Sequence, residues 1–216
     1  MKGAKIIDST APSKPEKIRR KPERPGEILA AAFEEFVLHG YAATRLEDVA
    51  ARAGVTKGTI YFHFESKENV FVQMVRELSK PTLLAMQEFL SRETPDIVAF
   101  LNDFVDFSHD LVLKDRYARE ILRLLIAEAS RFPDLVDEHI SEFLDPICDH
   151  LQARLVQAAK EGTIRQSPVI DFPDLLLAPP LVLNIFVLLL ADRQDAEAQA
   201  RIAAAKDLLL NGLLPR

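Results

Sequence analysis

Polar and aromatic side chains are concentrated in residues 56–64, which read Thr-Lys-Gly-Thr-Ile-Tyr-Phe-His-Phe. Within this stretch Ile60 and Phe64 stand four residues apart, the spacing that puts two side chains on one face of an α-helix. An inward-facing pair leaves the other side chains on the remaining faces: Thr56, Lys57, Thr59, Tyr61 and His63. The pattern predicts a short helix that offers hydrogen-bond donors to a partner.

These side chains suit the chemistry of duplex DNA. Lys57 can donate to a phosphate or to a guanine edge, and the Thr56 hydroxyl can cap the helix while meeting a phosphate. Tyr61 and His63 can donate to phosphates while their rings pack against the sugars. Gly58 has no side chain and permits close approach of its backbone. We therefore expect this helix to enter the major groove.

The neighbouring residues predict the elements that position this helix. Thr44 and Glu47 have the spacing of a capping box at the start of another short helix, and Gly54 can adopt the left-handed turn after it. Together they predict a helix-turn-helix. Thr44 and Lys67 lie at helix N-termini, where free N–H groups favour a phosphate. The predicted DNA-binding residues are Thr44, Arg45, Thr56, Lys57, Gly58, Thr59, Tyr61, His63 and Lys67.

The rest of the chain has the periodicity of helices. Its 216 residues fit one or two domains, and glycine is sparse, so the predicted fold class is all-α. Pro81 predicts a kink or a restart of the chain between a three-helix N-terminal unit and a larger helical body, in which one helical period covers 133–161. The predicted divisions are a basic flexible arm over 1–23, a helix-turn-helix domain over 24–78 and a helical domain over 79–216.

Charge is divided unevenly along the chain. Residues 1–80 hold 14 Lys and Arg against 11 Asp and Glu, a balance of +3, whereas residues 81–216 hold 13 against 22, a balance of −9. The net charge of −6 therefore combines a mildly basic N-terminal part with an acidic body. This division is typical of a DNA-binding unit joined to a body that avoids phosphates.

Composition also bounds the compartment and the chemistry. Cys148 is the single cysteine and cannot form an intrachain disulfide, and the first residues lack the apolar segment of a secretory signal. The most apolar run, 175–191, contains two prolines and Asn184 and is shorter than the ~20 residues of a membrane span. We expect a cytoplasmic protein with no membrane segment. We also expect no cofactor, since phosphate-loop and nucleophile-elbow motifs are missing from the sequence.

Residues 25–71 closely resemble the DNA-binding domain of the tetracycline-repressor (TetR) family. The resemblance rests on Phe-Val-Leu-His-Gly-Tyr at 36–41, on the Thr, Asp-Val-Ala and Ala-Gly-Val positions of 44–55, and on Gly-Thr-Ile-Tyr-Phe-His-Phe followed by Ser-Lys-Glu over 58–68. A second segment, 119–135, which ends in Arg-Phe-Pro-Asp-Leu, looks like one found in AcrR-like members of the family.

The resemblance implies an all-helical homodimer with an N-terminal helix-turn-helix and a C-terminal domain that binds an effector and dimerises. It implies a transcriptional regulator and not an enzyme, most often a repressor that a small molecule releases from its DNA operator. It also places the dimer contact in the last two helices. The run 175–191 is apolar on nearly every side, as a helix buried against a second subunit would be.

In this family the core of the C-terminal domain is hollowed into a ligand pocket. The effector-binding candidates are Met86, Phe104, Phe107, Leu122, Ile126 and Asn184. They predict an apolar or amphipathic effector of unknown identity. Asn184 stands alone in an apolar helix, and its amide either orients the effector or is paired across the dimer or with backbone freed by Pro180. The pairing is the simpler interpretation, because a buried amide must be paired whatever its purpose.

Two other interpretations of the sequence stay open. Asp106 with His109, and His139 with Glu142, put two types of metal ligand one helical turn apart, as a helical-bundle metal enzyme would. The additional inward-facing glutamates of such a site are missing, so we predict no metal ligands. The other alternative is a DNA-binding regulator whose body responds to no small molecule.

Overall fold

The computed structural model describes residues 24–94, 96–190 and 195–214, and every regular element within them is helical. The predicted all-α class is confirmed. The predicted basic arm, 1–23, lies outside the described residues. The α-helices are α1 (Arg24–Ala43), α2 (Leu46–Arg52), α3 (Lys57–Phe64), α4 (Lys67–Leu90), α5 (Ile97–Lys114), α6 (Arg116–Glu128), α7 (Pro133–His139), α8 (Asp145–Lys160), α9 (Ala178–Leu190) and α10 (Asp195–Leu213).

The helices α1, α2, α3 and the first half of α4 surround one hydrophobic core, and we call this unit the head. Aromatic rings fill its centre: Phe71 lies 5.2 Å from both Phe36 and Tyr41, measured between ring centroids. Phe132, which precedes α7, stacks on Phe71 at 4.7 Å. A residue between α6 and α7 therefore completes the core of the head.

Gly40 breaks the helical geometry near the end of α1. Its φ of 73° and ψ of 165° fall in a region that is essentially restricted to glycine. The chain turns here so that Tyr41, which is buried, can enter the head core. A glycine at this position therefore has a conformational reason.

Replacing Gly40 by alanine should destabilise the protein by about 1–3 kcal/mol, because the backbone strain remains even though a Cβ would meet nothing within 4 Å. Urea unfolding of the variant measures the change. Gly26→Ala is the matched control, because Gly26 also has open space around its Cβ position and no positive φ. Equal stability of the two variants would contradict the assignment of strain to Gly40.

The helix α4 joins the head to the remainder of the chain, which we call the body. It runs without interruption through Pro81, so the predicted kink or restart does not end the helix. Its first half contributes Phe71 and Met74 to the head core, and its second half contributes Met86 to the core of the body. The division at residue 78 falls inside this helix and stays a prediction.

The prediction of one continuous helix over 133–161 is wrong because the α-helix is interrupted. A π-helical turn, Ile140–Leu144, separates α7 from α8. Pro146 supplies the physical reason, because it has no N–H to donate and its ring clashes with the carbonyl four residues earlier. The backbone widens instead, and the N–H of Asp145 donates to the carbonyl of Ile140, five residues back.

The body core is built from the second half of α4 together with α5, α8 and parts of the C-terminal helices. Four phenylalanine rings form a connected group in it, with Phe89 stacked on Phe107 at 4.6 Å and next to Phe104 at 6.2 Å. None of the helices in the described part of the chain is long and apolar enough to cross a membrane.

Candidate DNA-binding surface

The helices α2 and α3 form a helix-turn-helix that is anchored by its apolar side chains. Val49 on α2, and Ile60 and Phe64 on α3, are buried in the head core. Gly54 has a φ of 64°, which confirms the predicted left-handed turn between the two helices. The N–H of Val55 donates to the carbonyl of Ala50 at 3.0 Å and closes the turn. This packing fixes the direction in which α3 presents its outer face.

The outer face of α3 is rich in donors and aromatic rings. Thr56 caps the helix by accepting a hydrogen bond from the N–H of Thr59 at 3.1 Å, as predicted from its position. Tyr61 is 44% exposed, and His63 is exposed beside it. The face is open, as a helix inserted into a DNA groove requires.

Lys57 is held by a carboxylate in the DNA-free protein. Its Nζ lies 2.6 Å from Oε1 of Glu47 on α2, and both side chains are exposed to solvent. The hydrogen bond with Glu47 raises the pKa of Lys57, and the same bond lowers the pKa of Glu47. The ammonium also lies 5.4 Å from the centre of the Tyr61 ring. A phosphate bound by Lys57 would therefore have to compete with Glu47.

Thr44 has a different role from the one predicted. It is buried, and its hydroxyl lies 2.7 Å from the carbonyl oxygen of Gly40 and 3.0 Å from that of Glu35. The residue at the N-cap of α2 is Arg45, whose side chain makes no capping bond. The predicted capping box is wrong, and the Thr44 hydroxyl has no further proton to donate to a phosphate because it already donates to α1 carbonyls.

The other predicted contact residues differ in their freedom to meet DNA. Arg45 and Gly58 are exposed, and Thr59 is half-buried with its hydroxyl 2.9 Å from that of Thr56. Lys67 donates to the carbonyl of Ala42 at 3.1 Å, and desolvation lowers its pKa. These four residues remain predicted DNA contacts, with Lys67 the least free.

Sequence reasoning missed Phe62. Its side chain is 83% exposed, although a phenylalanine on a core-forming helix would be buried. It stands between Tyr61 and His63, and its ring meets that of His63 edge-on at 5.1 Å. An apolar ring on a groove-facing helix can contact a thymine methyl group. The signal in the sequence was its position, which lies out of phase with Ile60 and Phe64.

The predicted effector-binding residues are only partly brought together. Met86 and Phe104 are buried in the body core and Phe107 packs against it. Leu122 is half-buried on α6, and Ile126 on the same helix is 64% exposed. Asn184 is buried on α9, and its Oδ1 lacks a hydrogen-bond partner among the described residues. An effector cavity around the phenylalanine group stays a prediction.

Asp106 and His109, two of the side chains considered as metal ligands, have other partners. Asp106 pairs with Lys206 at 2.6 Å, and a ring nitrogen of His109 bonds to the carbonyl of Val105 at 2.7 Å. Within the described ranges, His, Cys, Asp and Glu side chains form no group of three suited to a metal ion. Their geometry gives no support to the metal-enzyme alternative.

The fold and the exposed outer face of α3 define a helical protein of the helix-turn-helix class. Residues 28–74 match the family model described as bacterial regulatory proteins, tetR family. The match covers the helix-turn-helix part of this chain, and the proteins that the chain resembles are transcriptional regulators and not enzymes.

Known relatives agree with this assignment. The HTH-type transcriptional activator FasR of Mycolicibacterium smegmatis is 32% identical over 107 residues, which cover 45% of this chain and 49% of FasR. A probable acrEF/envCD operon repressor of Escherichia coli is 41% identical over 66 residues, 30% of this chain and 29% of that protein. The chain thus aligns with about half or less of the length of these two relatives.

A solved structure extends the similarity to the whole fold. The complex of SmeT with triclosan has a TM-score of 0.67 and 22% sequence identity, and the alignment covers 89% of this chain and 92% of SmeT. SmeT is the repressor of the Stenotrophomonas maltophilia multidrug efflux pump SmeDEF. At this identity the likeness concerns the fold alone.

Proposed function

We propose that this protein is a homodimeric, ligand-responsive DNA-binding regulator that represses transcription and leaves its operator when a small molecule binds to its body. The observation that carries the proposal is the outer face of α3, where Lys57, Tyr61 and His63 are exposed on a helix anchored by Ile60 and Phe64. We further propose that it acts in the cytoplasm, where operator DNA is accessible.

A dimer is supported by the exposed apolar side chains of the C-terminal helices. On α9, Leu181, Ile185 and Leu189 follow one another at four-residue spacing and lie on one face, and Leu189 is 73% exposed. Leu208 on α10 is exposed as well. Contiguous apolar surface of this kind marks an interaction site. Two copies joined there would place two α3 helices in successive major grooves, ~34–36 Å or a small multiple apart.

Effector response is supported by the contacts that join the body to the head. Arg116 on α6 makes two hydrogen bonds to Glu34 on α1, at 2.6 and 3.0 Å. Arg123 on the same helix donates to the carbonyl of Val37 at 3.0 Å. A ligand that shifts α6 would therefore move the head. A coupling of ~1–3 kcal/mol between effector and operator would lower occupancy several-fold or more.

Native mass spectrometry of the purified full-length protein tests the dimer and the effector together. We expect the mass of two chains, with an additional small molecule retained in part of the population. A spectrum containing only single chains at micromolar concentration would contradict the homodimer. Dimers that never retain or bind any member of a broad metabolite library would contradict the response to a small molecule.

Gly58→Ala should weaken operator binding by about tenfold while leaving the stability of the fold unchanged. In the DNA-free protein a Cβ at this position would meet only the Thr56 hydroxyl, at the ordinary distance of 3.7 Å. The cost therefore arises at the DNA surface. Fluorescence anisotropy with an operator duplex, selected from genomic fragments, measures the affinity. Undiminished affinity would show that the α3 backbone stays clear of the DNA.

Glu47→Gln should strengthen DNA binding by about threefold to tenfold, because it frees Lys57 and removes a negative charge beside the phosphates. The same anisotropy assay at several salt concentrations measures the effect, and the gain should shrink as salt rises. Glu93→Gln, which removes an exposed carboxylate of the body, is the control. Weaker binding by the Glu47 variant would mean that Glu47 helps to orient Lys57 for DNA.

A further inference from the structure

A cavity lies on the side of α4 that faces α7 and the π-helical turn. Its volume is about 390 Å³, within the ~300–1,000 Å³ typical of ligand sites. One wall is the middle of α4, from Gln73 to Leu83, and the other runs from Leu135 to Phe143. We call it the α4–α7 groove. It is separate from the predicted effector residues, none of which lines it.

The groove lies where the two cores meet. Val75 and Leu135 belong to the head core, whereas Phe143 packs against the core of the body. The Arg76 guanidinium crosses between the walls and makes two hydrogen bonds to the Glu138 carboxylate, at 2.7 and 2.5 Å. A molecule in the groove would therefore touch both units of the protein.

The charges lining the groove leave one carboxylate without a cation of its own. Arg76 is paired with Glu138, and Lys80 with Glu77 at 2.6 Å. Glu142 is close enough for its negative charge to act on Arg76, yet it forms no ion pair with any described residue.

The one histidine in the lining adds no positive charge at neutral pH. Burial lowers the pKa of His139, and the nearby carboxylates of Glu142 and Glu138 oppose that change only partly. The groove therefore carries a net negative charge, and the surplus charge belongs to Glu142.

The remaining lining suits a ligand that has an apolar group and a hydrogen-bond donor. The rings of His139 and Phe143 are stacked with centroids 5.4 Å apart and planes at 15°, which makes a flat wall. Leu83 and Leu135 add aliphatic surface. On the α4 wall, the Ser79 Oγ is buried and has no hydrogen-bond partner among the described residues, which is uncommon for a buried hydroxyl.

We infer that the α4–α7 groove binds an amphipathic organic cation, which is a protonated amine attached to an apolar group. The ammonium pairs with the carboxylate of Glu142, and the apolar group of the ligand lies against the His139–Phe143 ring pair. The hydroxyl of Ser79 accepts a hydrogen bond from the ligand. Binding of the cation in the groove does not depend on the proposed function. An effect of that binding on operator occupancy does rest on the proposed function.

Three probes with the same phenylbutyl group test the charge preference: 4-phenylbutylamine, 4-phenylbutanol and 5-phenylvalerate. Isothermal titration calorimetry on the full-length protein at neutral pH should give an affinity for the amine about tenfold higher than for the alcohol, with the carboxylate weakest. Equal affinities for the three probes, or no binding of the amine, would overturn the inference.

Glu142→Gln should remove the advantage of the amine over the alcohol. Glu142 is exposed, so the variant should fold normally, and circular dichroism checks that it does. Glu93→Gln, which changes an exposed carboxylate outside the groove, should keep the advantage. An advantage that survives Glu142→Gln would contradict the assigned pairing.

Operator affinity measured by fluorescence anisotropy, with and without 4-phenylbutylamine, separates ligand binding in the groove from its effect on the head. Amine binding that leaves operator affinity unchanged would confirm the site and contradict only its coupling to the head. A protein that binds the amine but selects no DNA would contradict the proposed function and leave the groove assignment intact.

Discussion

Tyr61→Ala should lower the affinity for DNA by about 100-fold, and by a similar factor on every duplex. Each phosphate hydrogen bond lost contributes ~1–2 kcal/mol, and a dimer loses it twice. Tyr61 is exposed on α3, so the folded state should lose little stability. Fluorescence anisotropy with the selected operator and with a scrambled duplex of equal length, both at physiological salt, measures the two losses. Unchanged affinity would refute the assignment of Tyr61 to a phosphate.

Phe62→Ala is the matched comparison, since Phe62 is the adjacent exposed ring of the same helix. It has no hydroxyl, so its contact with DNA must be apolar. We expect the variant to lose affinity for the operator and to keep its affinity for the scrambled duplex. A uniform loss like that of Tyr61→Ala would place Phe62 against the sugar-phosphate backbone and not against a base.

Ile185→Glu should convert the protein to monomers, with the dimer dissociation constant raised about 1,000-fold. Ile185 lies in the middle of the exposed apolar face of α9, where a partner subunit would bury the new charge without a counter-ion. Sedimentation equilibrium measures the change. Operator affinity should fall with it, because one head alone makes half of the contacts.

Leu84→Glu is the control for that substitution. Leu84 is also an exposed aliphatic side chain, but it lies on α4 and not on α9 or α10. This variant should remain a dimer and bind the operator normally. If Ile185→Glu also stays dimeric, the subunit contact lies elsewhere; if Leu84→Glu dissociates, the contact includes α4.

The parts of the structure that were predictable are those governed by local chemistry. The turn at Gly54, the cap at Thr56 and the inward pair of Ile60 and Phe64 follow from residue type and spacing within a few positions. The same logic failed for Thr44, because its hydroxyl turns back to two carbonyls at the end of α1 and makes no capping bond to α2. The Lys57–Glu47 pair joins two helices and had no signature in either alone.

The limit of prediction from sequence is clearest in the orientation of the body helices. The run 121–126 on α6 is apolar on most sides, so its sequence does not say which side faces inward. In the structure Ile121 and Leu125 pack into the head core, which turns Ile126 to the solvent. The α4–α7 groove was unpredictable for a related reason, since its walls are distant in sequence and its π-helical turn depends on Pro146.

Selection of genomic DNA fragments by the full-length protein tests the central claim most directly. We expect enrichment of a single sequence class, an inverted repeat whose half-sites are one helical turn, ~34–36 Å, or a small multiple apart. The Tyr61→Ala variant, carried through the same selection, should enrich that class far less. Fragments recovered by a dimeric wild-type protein without any sequence preference would contradict the assignment of α3 as a helix that reads DNA.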